Sequence, residues 1–142
     1  MLSGQLAIVA AALFTGAALY VNVAEQPARL LLADSPLLTE WKAAYKRGAA
    51  MQASLAIVGF LLGMLAWWQT GDWVWIVGGL LMLANWPFTL LVIKPVNDRL
   101  MATDAAGPDS RAMIVRWGSL HAARTALGSA ATLAFLWASL HT

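Results

Sequence analysis

Apolar positions in this chain come in blocks about 20 residues long, separated by short polar stretches. The blocks run from about Leu6 to Ala24 (6–24), Ala49 to Trp68 (49–68), Trp73 to Ile93 (73–93) and Arg116 to Ala138 (116–138). Crossing a hydrocarbon layer of about 30 Å takes about 20 helical residues, so each block predicts one span. The expected fold is an all-α membrane protein, a four-transmembrane-helix bundle in a single domain over residues 1–142. The helix of the fourth block is predicted to start earlier, near Ser110, with Asp109 or Ser110 as its N-cap after Gly107-Pro108, and to project from the membrane. Gln69-Thr70-Gly71-Asp72 leaves room only for a tight turn, which makes the second and third spans an antiparallel hairpin. Between the first two spans, Leu37, Leu38, Trp41, Ala44 and Tyr45 recur at helical spacing. They predict a short amphipathic helix over 36–46 lying in the membrane interface.

Composition agrees with this pattern: 61% of residues are apolar and 11% charged, where soluble chains carry about 25% charged. The chain has no cysteine, which removes disulfides, thiolate metal sites and thiol catalysis. The first block lacks a basic leader and a small-residue cleavage site, so it is expected to stay as a span. Arg29, Lys42, Lys46 and Arg47 lie in or beside the first link, and Lys94, Arg99, Arg111 and Arg116 flank the third. The positive-inside rule then predicts a multi-pass protein with both termini outside the cytoplasm; the expected location is a bacterial-type inner (plasma) membrane. Trp67, Trp68, Trp73 and Trp75 cluster at the hairpin turn and suit an aromatic belt at the outer interface.

The exceptions inside the blocks are the chemically interesting residues. Asn22 and Glu25 close the first span, Gln52 opens the second, Asn85 lies in the third, and His121 and Arg124 enter the fourth. All fall in the cytoplasmic half. Asn22 with Glu25, and His121 with Arg124, are spaced i,i+3, which predicts two polar faces meeting in one pocket open toward the cytoplasm. Duller roles stand beside this one: Arg124 clamped by Glu25, Arg29 an ordinary interface charge, Asn85 capping carbonyls freed by Pro87, and the methionines simply packing. A metal site is not expected, because His121 and Glu25 fall short of three or four ligands. His121 and His141 lie about 30 Å apart along one helix, so bis-His haem would need a dimer. There is no P-loop, no GxGxxG after a strand and no Ser-His-Asp set.

Four strings, TGAALYVNVAEQPAR, WKAAYKRGAAMQASLA, NWPFTLLVIKPVNDRL and RWGSLHAARTALG, span nearly the whole chain. Taken in order, they resemble the anthrone oxygenase family of small membrane proteins, mostly uncharacterised in bacteria. The resemblance rests on Asn22, Glu25, Pro27 and Arg29, on Asn85, Pro87, Thr89, Pro95 and Asn97, and on Trp117, His121 and Arg124. It implies oxygenation of an anthrone to an anthraquinone. Together with the pocket it suggests His121 as base, Glu25 orienting the imidazole, and Arg124, Asn85 and Asn97 stabilising an enolate or phenolate. Asn22 and Gln52 would line the ligand site, with Trp86 and Trp117 against the rings. No cofactor is expected; haem b or a quinone bound through His121 is the redox alternative, and a non-catalytic membrane subunit or scaffold is the other. Expected partners are the lipid bilayer and a hydrophobic small molecule, not nucleic acid, with a homo-oligomer or a membrane-complex subunit both compatible.

Overall fold

The computed structural model describes residues 1–141, and its regular structure is helical throughout those residues. Helix α1 runs Leu2–Arg29, α2 Asp34–Thr70, α3 Val74–Ala102 and α4 Pro108–His141. The links 30–33, 71–73 and 103–107 are short enough to force reversals, so successive helices run antiparallel. α1 and α3 each pack against both α2 and α4, which closes a four-sided bundle. Helices α1, α2 and α3 are long and apolar enough to cross a membrane. In α4, Arg116, Ser119, His121 and Arg124 dilute the apolar run, so length and composition alone do not mark it as a span.

Three local expectations change. No separate interfacial helix covers 36–46: that stretch forms the first turns of the 37-residue α2. Lys46, Arg47 and Ala49 all favour helix and a single Gly48 is tolerated, so nothing breaks it. Its Leu37, Leu38 and Trp41 are buried against Ile93, Val96, Leu100, Ile114 and Trp117 instead of lying among headgroups. α4 starts at Pro108, one or two residues before the expected cap, and the Ser110 hydroxyl folds back to accept from the Gly107 N–H at 3.0 Å. In the aromatic belt, Trp67, Trp68 and Trp73 are exposed, but Trp75 is fully buried and stacks on Phe135 at 5.6 Å. The turn itself is closed by Gly71 in the left-handed region at φ 74° and by Asp72 Oδ1, which accepts from the Val74 N–H.

Two apolar cores result. One groups Phe14, Ala18, Ala56, Trp75, Met82, Ala131 and Phe135; the other groups Leu37, Trp41, Ile93, Leu100, Ile114 and Trp117. Glycines let the first close up: a Cβ on Gly63 or Gly78 would run into the Phe135 ring, and one on Gly128 into Phe14. The Gly59–Gly63 and Gly118–Gly128 small surfaces are therefore used inside the bundle.

Between the cores the helices are irregular. α1 contains a π segment at Val21–Glu25 and α3 another at Thr89–Ile93. Each ends two residues before a proline, Pro27 and Pro95. A proline has no N–H for the carbonyl four residues back, here Val23 and Leu91, and its ring pushes that carbonyl aside. The wider turn relieves this conflict where the polar residues are concentrated.

Candidate functional site

The polar layer between the cores is built on an amide clamp. Asn22 and Gln26, one turn apart on α1, donate through their amides to the α4 carbonyls of Gly118 and Ile114, each at 2.9 Å. Gly118 makes this approach possible, since a Cβ there would sit 2.6 Å from Gln26 Nε2. The donation fixes the Asn22 amide orientation and leaves its Oδ1 facing His121 and Thr125. Thr125 donates to that oxygen at 2.8 Å, and His121 Nδ1 lies 2.9 Å from it. An amide oxygen only accepts, so Nδ1 carries the proton and Nε2 is left as the ring's free lone pair. Asn22, not Glu25, orients the imidazole.

Glu25 is engaged elsewhere. Its Oε1 pairs with Arg29 Nη2 at 2.7 Å, while Arg29 Nε lies 2.9 Å from Glu40 Oε2 of α2. Arg29 is only 4% exposed and its guanidinium lies over the Trp117 ring at 5.6 Å, so it is not an ordinary interface charge. Trp117 in turn meets Trp41 edge-on and tilts against His121 at 5.0 Å. The expected Glu25–Arg124 clamp is absent because Arg29 is one turn from Glu25 on the same helix and takes the carboxylate.

Arg124 is left without an anion. It is 7% exposed, its Nε is buried with no acceptor, and the described residues offer its guanidinium no ion pair; its one ring contact is Phe14 at 5.5 Å. Around it, Gln52 Oε1, Asn97 Oδ1, Asn85 Oδ1 and Thr89 Oγ1 are also buried without partners. Asn85 does bind backbone, its Nδ2 donating to the Leu81 and Met82 carbonyls before the Pro87 break, but its oxygen stays free. Buried polar atoms in folded proteins find a partner, protein or ordered water, in about nine cases in ten or more.

Two adjoining cavities receive these atoms. The inner one, about 50 Å³, is lined by Glu25, Gln52, Asn97, Trp117, His121 and Arg124 among others. The outer one, about 150 Å³, lies between α2 and α3 and is lined by Ala49, Ala53, Asn85, Trp86, Thr89 and Leu90. Tyr45, Ala49 and Arg124 belong to both. Of the residues expected at the site, Asn22 alone lines neither cavity; it stands behind His121.

A family model described as anthrone oxygenase matches residues 41–134. The chain belongs to the anthrone oxygenase family. The matched stretch holds Gln52, Asn85, Trp86, Asn97, Trp117, His121 and Arg124, and so most of both cavity walls. No curated protein matches the chain, and no solved structure does. Among the described residues, no three His, Asp or Glu side chains gather as a metal site would require. Gln26, Arg29, Tyr45, Thr89 and Thr125 join the site without having been singled out as ligand or catalytic residues from the sequence. Gln26 was signalled by its i,i+4 spacing from Asn22, and Thr125 by its i,i+4 spacing from His121.

Proposed function

We propose that this protein binds a flat, hydrophobic phenol from the membrane and oxygenates it at a benzylic carbon, as the family description suggests, without a resident cofactor. In this proposal α4 crosses the membrane with the other three helices, both termini lie outside the cytoplasm, and the membrane is a bacterial-type inner membrane. The observation that carries it is the buried, anion-free Arg124 beside His121. An ionised arginine deep in a bilayer protein costs about 2.5 to 3.5 kcal/mol even on insertion-based scales, a cost that an anionic guest offsets.

The chemistry follows from the two side chains. His121 Nε2 takes the hydroxyl proton of the anthrone's enol tautomer, and the negative charge is shared between that oxygen and the ring carbon opposite it. Arg124 stabilises that oxyanion, while the unpaired Asn97 and Gln52 amide oxygens in the same cavity accept from the guest's remaining hydroxyl groups. The electron-rich anion gives one electron to molecular oxygen, and the resulting radical pair combines into a carbon–peroxide bond. Proton return from His121 gives the hydroperoxide, which loses water across its C–H and O–O bonds to form the quinone carbonyl. One anthrone and one O2 thus yield one anthraquinone and one water.

The test is oxygen uptake and quinone absorbance with 1,8-dihydroxy-9-anthrone in nanodiscs. His121→Gln keeps a hydrogen-bonding side chain and loses the base, so it retains binding and loses turnover, while Arg124→Gln loses binding. A ligand-free scaffold is the competing reading, favoured by the Asn22 and Gln26 clamp of α1 on α4. It prevails if wild type binds no anthrone and both variants fail to fold.

A further inference from the structure

The inner cavity is too small for three fused rings. Its volume of about 50 Å³ has room for a few water molecules, or for the oxygen-bearing edge of something larger. The rest of such a guest must lie where Arg124 opens on the other side, in the cavity of about 150 Å³ between α2 and α3. The walls there differ in kind. Ala49 and Ala53, one turn apart on α2, present only methyl groups, while Trp86 and Leu90 of α3 stand exposed on the bundle surface at 39% and 51%. Trp86 also reaches across: its Nε1 lies 3.3 Å from the Ala53 carbonyl oxygen and donates to it. That carbonyl lies inside a continuous helix and already has its own helical donor, so the indole bond is an extra one that can open without orphaning the acceptor. Deeper in, Asn85 Oδ1 and Thr89 Oγ1 are buried without partners on the same wall.

We infer that the gap between α2 and α3 is a side entrance from the bilayer and a second subsite: it admits an aromatic organic acid or acidic phenol, holds its ring body between Ala53 and Trp86, and delivers its anionic oxygen to Arg124. This rests on the preceding proposal only in placing an anionic guest at Arg124, and requires no oxygenation. Charge selects the occupant, because the wall ends in a guanidinium with no counter-ion among the described residues and with its Nε buried without an acceptor. A hydrocarbon or neutral lipid would leave Arg124 as it is, and a small hydrophilic anion would leave the apolar walls unfilled. Trp86 acts as the bar across the entrance.

The probe is 4-benzoylbenzoate, an aromatic acid that labels its neighbours when irradiated, applied to the protein in nanodiscs with sites mapped by peptide mass spectrometry. Labelling is expected on the 49–53 and 86–90 stretches, and Arg124→Gln abolishes it. Ala53→Phe fills the subsite and weakens labelling by about tenfold. Trp86→Phe keeps the ring, removes the bond to Ala53 and speeds labelling; it serves as the independent variant if Ala53→Phe does not fold. Labelling that survives Arg124→Gln, or that maps instead to the opposite end around Ser3 and Gln69, overturns the inference. Labelling as expected in a protein that turns over no anthrone upholds the entrance and removes the oxygenase proposal. Anthrone turnover with labelling on another face does the reverse.

Discussion

Replacing Asn22 by leucine removes one amide and strips three groups of a partner. The Gly118 carbonyl keeps its helical donor, and the Thr125 hydroxyl can turn back to the carbonyl one turn earlier, so those two losses are small. His121 Nδ1–H, 2.9 Å from the lost oxygen, has no such substitute. Interhelical hydrogen bonds inside membrane proteins average about 0.6 kcal/mol and reach about 1.7. Three such bonds, one without replacement, put the loss at about 1 to 3 kcal/mol and the coupling between Asn22 and His121 at about 0.6 to 1.7 kcal/mol. The measurement is a double-mutant cycle with Asn22→Leu and His121→Phe, followed by detergent-denaturant unfolding. Ring nitrogen NMR gives a second readout: wild type holds the proton on Nδ1, and Asn22→Leu releases it to a mixture of tautomers. Losses that add to within about 0.3 kcal/mol, or a wild-type ring protonated on Nε2 alone, refute the idea that Asn22 sets the imidazole.

Other substitutions test the packing and charge of the same bundle. Gly78→Ala drives a methyl into the fully buried Phe135 ring and should cost about 1 to 3 kcal/mol in unfolding. Gly16→Ala, with open space around it, should instead stabilise by about 0.5 to 1 kcal/mol, so equal effects would refute the packing account. Gly118→Ala should push Gln26 off the Ile114 carbonyl, and Gln26→Ala in the same chain should remove most of that penalty; thermal unfolding of the pair measures it. Arg29→Met should destabilise by less than the 3 to 5 kcal/mol of a fully buried broken pair, at about 1 to 3, because Glu25 and Glu40 keep partial exposure. Adding Glu25→Gln and Glu40→Gln to that variant should recover stability, and a further loss would mean that the carboxylates are not strained by losing Arg29.

The helical class and the interior placement of His121 and Arg124 were legible because α4 is regular around them: i,i+3 spacing put both on one face, and both are buried. The apolar blocks likewise marked α1, α2 and α3. On α1 the same reasoning misled, since the partners there follow a π segment. Asn22 shares its α4-facing side with Gln26, while Glu25 turns to Arg29 and toward α2. Pro27 was visible in the sequence, but whether a proline produces a kink, a break or a widened turn depends on what packs against it. Arg29 was misread for a related reason: a basic residue at the end of an apolar run resembles an interface anchor, and only the arrival of Glu40 from α2 and Trp117 from α4 makes it a buried node. The merging of 36–46 into α2 was hidden because Leu37, Leu38 and Trp41 suit a headgroup layer and a protein core equally well.

The two π segments also set how strictly residues must be counted. One residue of α-helix is 1.5 Å of rise and about 100° of turn. Deleting Val23 would let α1 close to an ordinary helix with the residues on either side of the segment facing nearly as before, because a π turn is an α turn carrying one extra residue. A deletion at Leu91 would do the same for α3. A deletion in α4 between Trp117 and Thr125, where the helix is regular, has no such slack and would swing His121 or Arg124 by the full angle. Length variation along the family should then be confined to the links and to the two stretches just before Pro27 and Pro95, with α4 gapless around His121 and Arg124.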